Sequence, residues 1–212
     1  MENELVKLVN KSLTREELFQ KVSQNFNLLP KILDGVFSQK AAIRYGCAKV
    51  LMDLSEEYPE KLYHYIGFFI NLLDSKYRIL TWNAMAIIAN LTRVDTDKKF
   101  DAIFDHYFNF TNDEYMVTVA NVVKHSAQIA LAKPYLIPKI TIELLNVENI
   151  SLSPHLTEEC KRVIIEKTLK SFTKFLDKIE DKEEVLSFVQ KYLNSSRKPL
   201  RIQAEKIIKR WK

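Results

Sequence analysis

Apolar residues recur along this chain with helical spacing, in i, i+3 and i, i+4 stripes separated by short polar turns. Shifting the sequence by 36 residues against itself brings the stripes into register. Ile32, Phe68, Phe104 and Ile140 fall in one column. Val36, Leu72, Phe108 and Leu144 fall in a second, four residues later. Ile43, Ile79 and Tyr115 make a third, Ala48, Ala84 and Ala120 a fourth, and Leu51, Ile87 and Val123 a fifth. Pro30 and Pro138 stand three periods apart in the matching strings Leu28-Leu29-Pro30-Lys31-Ile32 and Leu136-Ile137-Pro138-Lys139-Ile140. Five columns that keep side-chain size as well as polarity mark an internal repeat.

Each unit is predicted to hold two helices. The first carries the Ile32/Val36-type pair. A polar turn follows: Ser38-Gln39-Lys40, Asp74-Ser75-Lys76 or Thr111-Asn112-Asp113. Its short polar side chains can accept hydrogen bonds from the free N–H groups of the second helix. That helix turns positions 44, 48, 51 and 55 toward the core, and the small residue at 48 permits close backbone approach. Tyr58-Pro59 and Lys133-Pro134 place proline where the next unit begins, a position that tolerates it. Pro30 and Pro138 fit either a late helix start or a kink. The predicted repeats span about 28–57, 58–94, 95–132, 133–178 and 181–212. The fourth has an insertion around Asn146 to His155, after which Thr157 and Glu158-Glu159 open the second helix. Residues 1–27 are expected to form a helical cap, with capping-box spacing in Thr14-Arg15-Glu16-Glu17.

The string Leu72-Leu73-Asp74-Ser75-Lys76-Tyr77-Arg78, with Ala84 further on, resembles HEAT or armadillo-type repeats. The resemblance covers about residues 28–212. Unit three departs from it, with Asp113-Glu114-Tyr115 and no arginine at the expected place. The likeness implies an all-α fold: one α-solenoid domain over 1–212, a right-handed superhelix of about five HEAT-like helix pairs plus the N-terminal cap. It also implies that the second helices line a concave face, which in that family grips peptides, proteins or, less often, nucleic acid.

Composition agrees with helices. Hydrophobic residues make up 47% and charged residues 28%, and there are only 3 glycines. That leaves too few for sheet-type turns or a phosphate-cradling loop. The net charge of +5 is concentrated at one end. The last sixteen residues carry seven basic side chains against the single acid Glu205, so the other 196 residues sum to −1. A general nucleic-acid-coating surface is therefore not indicated. Two distant cysteines, Cys47 and Cys160, are too few for a disulfide framework or a zinc cluster. The acidic start is no signal peptide, and the longest apolar run, Tyr65 to Leu73, is far short of a membrane span. The chain reads as soluble and cytoplasmic.

No catalytic motif is found, and no cofactor or metal is expected. His64, His106, His125 and His155 lack metal-ligand spacing. Asp97, Asp101 and Asp105 recur every four residues, so on a helix they share one face, most simply a solvated one and otherwise a site for a basic partner or a divalent cation. Trp82 and Met85 are predicted to face the groove, bordered by Tyr45, Lys49, Lys124 and His125, because position 45 and its equivalents point away from the core; the alternative is that Trp82 packs against the neighbouring unit's second helix. A tryptophan beside a methionine suits an interface anchor. Arg197, Arg201, Lys209 and Arg210 are candidate contacts for an anionic partner, or else belong to a solvated cap. Trp211 is expected to fold back onto the last pair. The leading function is a non-catalytic scaffold that binds a protein partner, as a monomer or with weak self-association. The alternatives are a nucleic-acid-binding protein resembling the helical-repeat alkylpurine DNA glycosylases, or a regulatory subunit of an enzyme.

Overall fold

The computed structural model describes residues 14–211. Residues 1–13 of the expected cap and Lys212 lie outside the described residues. The described residues form thirteen α-helices and a few 3-10 turns, with no strand beyond one isolated bridge between Ser153 and Leu156. The fold is an all-α solenoid.

The chain divides into two compact units, Met1–Phe100 and Asp101–Lys212. The first contains α1 (Arg15–Gln24), α2 (Leu29–Gly35), α3 (Ala41–Glu57), α4 (Pro59–Tyr63), α5 (Ile66–Leu72) and α6 (Arg78–Leu91). The short α7 (Lys99–Ala102) carries the boundary. The second contains α8 (Phe104–Asn109), α9 (Met116–Ala132), α10 (Ile137–Asn146), α11 (Glu158–Phe175), α12 (Lys182–Gln190) and α13 (Lys198–Trp211).

Thr14 and Glu17 open α1 with the predicted reciprocal capping box: the Thr14 amide donates to the Glu17 carboxylate at 2.7 Å, and the Glu17 amide donates to Thr14 Oγ1 at 3.2 Å. The core columns behave as the repeat requires. Val36, Leu72, Phe108 and Leu144 are buried, and so are Ala48, Ala84 and Ala120 and Leu51, Ile87 and Val123. The third column splits, with Ile43 buried and Ile79 42% exposed.

The predicted helix pair needs one correction, because the first helix arrives in two pieces. Helices α4 and α5 are separate, as are α7 and α8, while 3-10 turns at Phe26–Leu28 and Pro134–Leu136 precede α2 and α10. The joints have bridge-region backbones, φ −100° and ψ 13° at Tyr65, and φ −111° and ψ 9° at Ile103. This bend buries Leu62 on one piece together with Ile66 and Phe69 on the next. Pro30 and Pro138 sit in the first turns of α2 and α10, so the late start is the correct alternative.

The polar turns work by a mechanism slightly different from the one expected. Ser38 Oγ accepts from the Lys40 amide (3.2 Å), Ser75 Oγ from Tyr77 (3.1 Å), Asp113 Oδ1 from Tyr115 (2.8 Å) and Ser195 Oγ from Arg197 (3.2 Å). The acceptor closes on the amide two residues later, just before the long helix, rather than on an amide within that helix. Buried polar bonds then join neighbouring long helices. Asn90 Nδ2 donates to Ser55 Oγ at 2.8 Å between α6 and α3, and Ser171 Oγ donates to the Val123 carbonyl at 2.6 Å between α11 and α9.

The insertion of the fourth repeat is held by its neighbours. Ser153 Oγ donates to the Glu114 carbonyl at 2.9 Å, His155 stacks on Tyr115 at 4.5 Å, and Thr157 caps α11. The aspartate ladder does not form a continuous helix face. Asp97 lies in a turn, Asp101 on α7 and Asp105 on α8, because the first-layer helix is broken. The buried Lys133 ammonium lies 3.0 Å from Asp101, and the Tyr135 hydroxyl donates to Asp101 at 2.8 Å.

Candidate functional site

In the first unit the partly open positions of α3 and α6 gather aromatic and charged side chains. Tyr45 is half-buried on α3, and its ring meets Tyr77, the residue before α6, edge-on at 6.4 Å. Between them lies Arg44, 6% exposed, with its guanidinium carbon 4.7 Å from the Tyr45 ring and 3.9 Å from the Tyr77 ring. Arg44 donates to the Ser38 carbonyl at 2.8 Å. A buried guanidinium held by carbonyls and two aromatic faces fixes both tyrosines. The core position 44 therefore carries a cation, and position 55 the buried Ser55.

Lys49, half-buried one turn later on α3, adds positive charge near Asp53. Burial raises the Asp53 pKa, as do Glu16 and Glu56, while Arg15 at 3.2 Å and Lys49 oppose the rise. Trp82 is half-buried on α6. Met85 is not at the surface: it is 0% exposed, which removes it from the predicted contact set. The cause is local. Residues 84–92 include no charged side chain, all are buried, and α6 packs against α3, α4 and α5 within its unit. A helix apolar all round is buried all round. Thr81, Ala89 and Thr92, one 36-residue period after positions 45, 53 and 56, are buried as well.

In the second unit Lys124 is exposed on α9, beside the half-buried His125. Burial lowers the His125 pKa from 6.5 to about 4, helped by Lys124 and Lys174 and opposed by a hydrogen bond with Gln128. His125 is thus a neutral ring between two ammonium groups at neutral pH. Its folded-state pKa lies below the unfolded value, so its contribution to stability is fully present above about pH 6.5 and is lost as pH falls toward 4. Between about pH 7 and about pH 4.5 the wild type is expected to lose about 2 kcal/mol more stability than His125→Gln. Parallel thermal melts across that range check this, and equal losses would remove the assignment.

The basic C-terminal helix is largely engaged within the chain. Arg197 pairs with Glu166 at 2.9 Å and with Glu159 at 2.7 Å. Arg201 donates to the Ser195 carbonyl at 3.0 Å, repeating the Arg44–Ser38 contact six residues before it. Arg210 bonds the Thr173 carbonyl and pairs with Asp177. Lys209 is exposed. Burial of Glu166 pulls its pKa up, but hydrogen bonds from Lys170 and Arg197 outweigh this and leave it below the ordinary value. Trp211 is half-buried with its indole Nε1 enclosed, and the Lys182 ammonium lies 5.9 Å from its ring.

Sequence reasoning missed Tyr77 and Arg44. The available signal was an arginine at a core-facing position flanked by tyrosine, a combination that requires an aromatic or carbonyl partner. Among the described residues no group of three or more His, Cys, Asp or Glu is placed to hold a metal ion. No helix among them is long and apolar enough to cross a membrane.

No protein-family model matches the chain, and no curated protein matches it. Solved structures do. A designed armadillo repeat protein in complex with the peptide (KR)4 is 14% identical with a TM-score of 0.66, covering 100% of this chain and 92% of that one. A second designed armadillo repeat protein is 17% identical with a TM-score of 0.63, covering 97% and 90%. A third, computationally designed for modular peptide recognition, is 16% identical with a TM-score of 0.60, covering 98% and 92%. At these identities the likeness establishes the armadillo-type helical repeat fold.

Proposed function

We propose that this chain is a non-catalytic interaction scaffold that binds an extended segment of a protein partner on the open positions of its long second helices. The observation that carries this reading is the row on α3 and α6: Tyr45, Tyr77 and Trp82, with Lys49 beside them, on rigid helices and partly open to solvent. Rigid aromatic side chains give large contact area at small entropic cost. In the second unit, α9 likewise carries the exposed Lys124 and the half-buried His125. Two armadillo-type neighbours, one solved with a (KR)4 peptide and one designed for modular peptide recognition, support the choice of an extended peptide. The nucleic-acid reading has less support, because Arg197, Arg201 and Arg210 are committed to intramolecular partners. The proposed compartment is the cytoplasm, where the free cysteines Cys47 and Cys160 stay reduced.

Selection of random peptides against the protein tests the reading. A consensus sequence is expected to emerge, and Trp82→Ala is expected to weaken its binding about tenfold or more, the usual effect of removing an interface anchor. The melting temperature serves as a folding control. No enriched sequence, or equal affinity for wild type, Trp82→Ala and Tyr45→Ala, would reject it.

A further inference from the structure

A second surface lies in the second unit, apart from the positions discussed above. The start of α10 and the segment joining α11 to α12 enclose a cleft of about 360 Å³, within the range of small-ligand sites. Ile137 and Ile179, each 4% exposed, line it together with Pro134 and Pro138, and Ile142 stands 55% exposed at its edge. Thr141 also lines it; its hydroxyl Oγ1 is buried and has no hydrogen-bond partner, and the residue is 7% exposed. The charged lining consists of Glu180, Asp181 and Glu184 against Lys178. None of the three carboxylates has an ion-pair partner among the described residues. Helix polarity accounts for Glu184 in the first turn of α12. It accounts equally for Asp181, the N-cap residue, although that side chain forms no cap hydrogen bond, but not for Glu180, which precedes the helix.

Each feature selects part of a guest. The isoleucine and proline walls favour an aliphatic side chain. Unpaired carboxylates around an apolar opening favour cations beside that side chain and disfavour anions. The Thr141 hydroxyl is a buried group that a guest polar atom can satisfy. We propose that this cleft docks a peptide segment of a partner protein in which a leucine or isoleucine is flanked by lysine or arginine. It is a binding site separate from the α3/α6 face and does not depend on it.

Fluorescence anisotropy with short labelled peptides tests the proposal on the full chain. The probes are alternating lysine–leucine, lysine–alanine and glutamate–leucine sequences. The lysine–leucine peptide is expected to bind, with affinity falling as salt is added. The lysine–alanine peptide is expected to bind at least about tenfold more weakly, and the glutamate–leucine peptide not to bind. Ile142→Asp, a change at an exposed position, should abolish binding, and Thr141→Val should weaken it about fivefold. Glu180→Lys with Glu184→Lys, also at exposed positions, should reverse the preference toward the glutamate–leucine peptide. Trp82→Ala should leave all these affinities unchanged. Equal binding of the three peptides, or unaltered binding by Ile142→Asp and by the charge-reversed variant, overturns the proposal. Loss of binding in Trp82→Ala overturns it too, because the peptide would then sit on the second-helix face.

Discussion

Phe172→Ala is expected to lower the free energy of unfolding by about 3–5 kcal/mol, a large share of the total for a domain of ordinary stability. Phe172 is 0% exposed on α11. Its ring lies 5.9 Å from Phe175 and 6.4 Å from Phe188 of α12, and α11 itself packs on α9 and α13. Truncation removes the apolar contact and leaves a void that several helices would have to move together to fill. Urea unfolding at constant slope measures the loss. Phe37→Ala serves as the comparison, because Phe37 is 65% exposed and its removal should cost under about 1 kcal/mol. A loss for Phe172→Ala no larger than for Phe37→Ala would show that the α11 core is not tightly packed.

Asp95→Ala should cost about 3 kcal/mol by a different route. The Asp95 carboxylate is 7% exposed and accepts from the Tyr63 hydroxyl at 2.6 Å, the Lys99 amide at 2.8 Å and the Phe100 amide at 3.0 Å. It joins α4 to the start of α7. Removing it leaves three donors without their acceptor, each carrying its own desolvation cost. Asp95→Asn should recover only part of the loss, since one carboxylate oxygen becomes an amide NH2 group, which donates and cannot accept. A second measurement checks the same bond. Burial, with the hydrogen bond to Asp95 and that residue's charge, pushes Tyr63 up to about 12. In Asp95→Ala the Tyr63 titration, followed by ultraviolet absorbance at alkaline pH, should fall back toward 10. An unchanged titration would contradict this account.

The repeat was legible because the core selects for size as well as for apolarity. Alanine at 48, 84 and 120 could be read directly as close helix packing, and all three are buried. The break in the first layer was not legible. It arises at Tyr65 and Ile103, where no proline stands and where Gly67, just past Tyr65, has no counterpart after Ile103, and it follows from the need of two short pieces to bury different neighbours. The candidate surface was read less well than the fold. Extending the helical wheel from α3 to α6 placed Met85 in the open, yet the segment after Trp82 has no charged residue and is enclosed. The wheel gives direction, and only the composition around the wheel shows whether that direction meets solvent. The cleft at α10 was beyond reach, because it joins residues about 40 positions apart whose pairing depends on the path of the chain after α11.

The serine and aspartate turns carry a consequence for how such a chain can change length. Each closes over two residues directly before a long helix, so one residue added or removed there would rotate that helix by about 100° and turn its buried stripe away from its neighbours. Indels are therefore forbidden at Ser38, Ser75, Asp113 and Ser195. Where the chain does lengthen, in the fourth repeat, no such turn stands directly before the helix: its counterpart, Ser153 Oγ accepting from the His155 amide at 3.2 Å, ends two residues ahead of the cap. A new bridge from Ser153 to Leu156 and a fresh threonine cap take its place. Growth of the array is thus confined to sites where a whole replacement entry to the helix can be built.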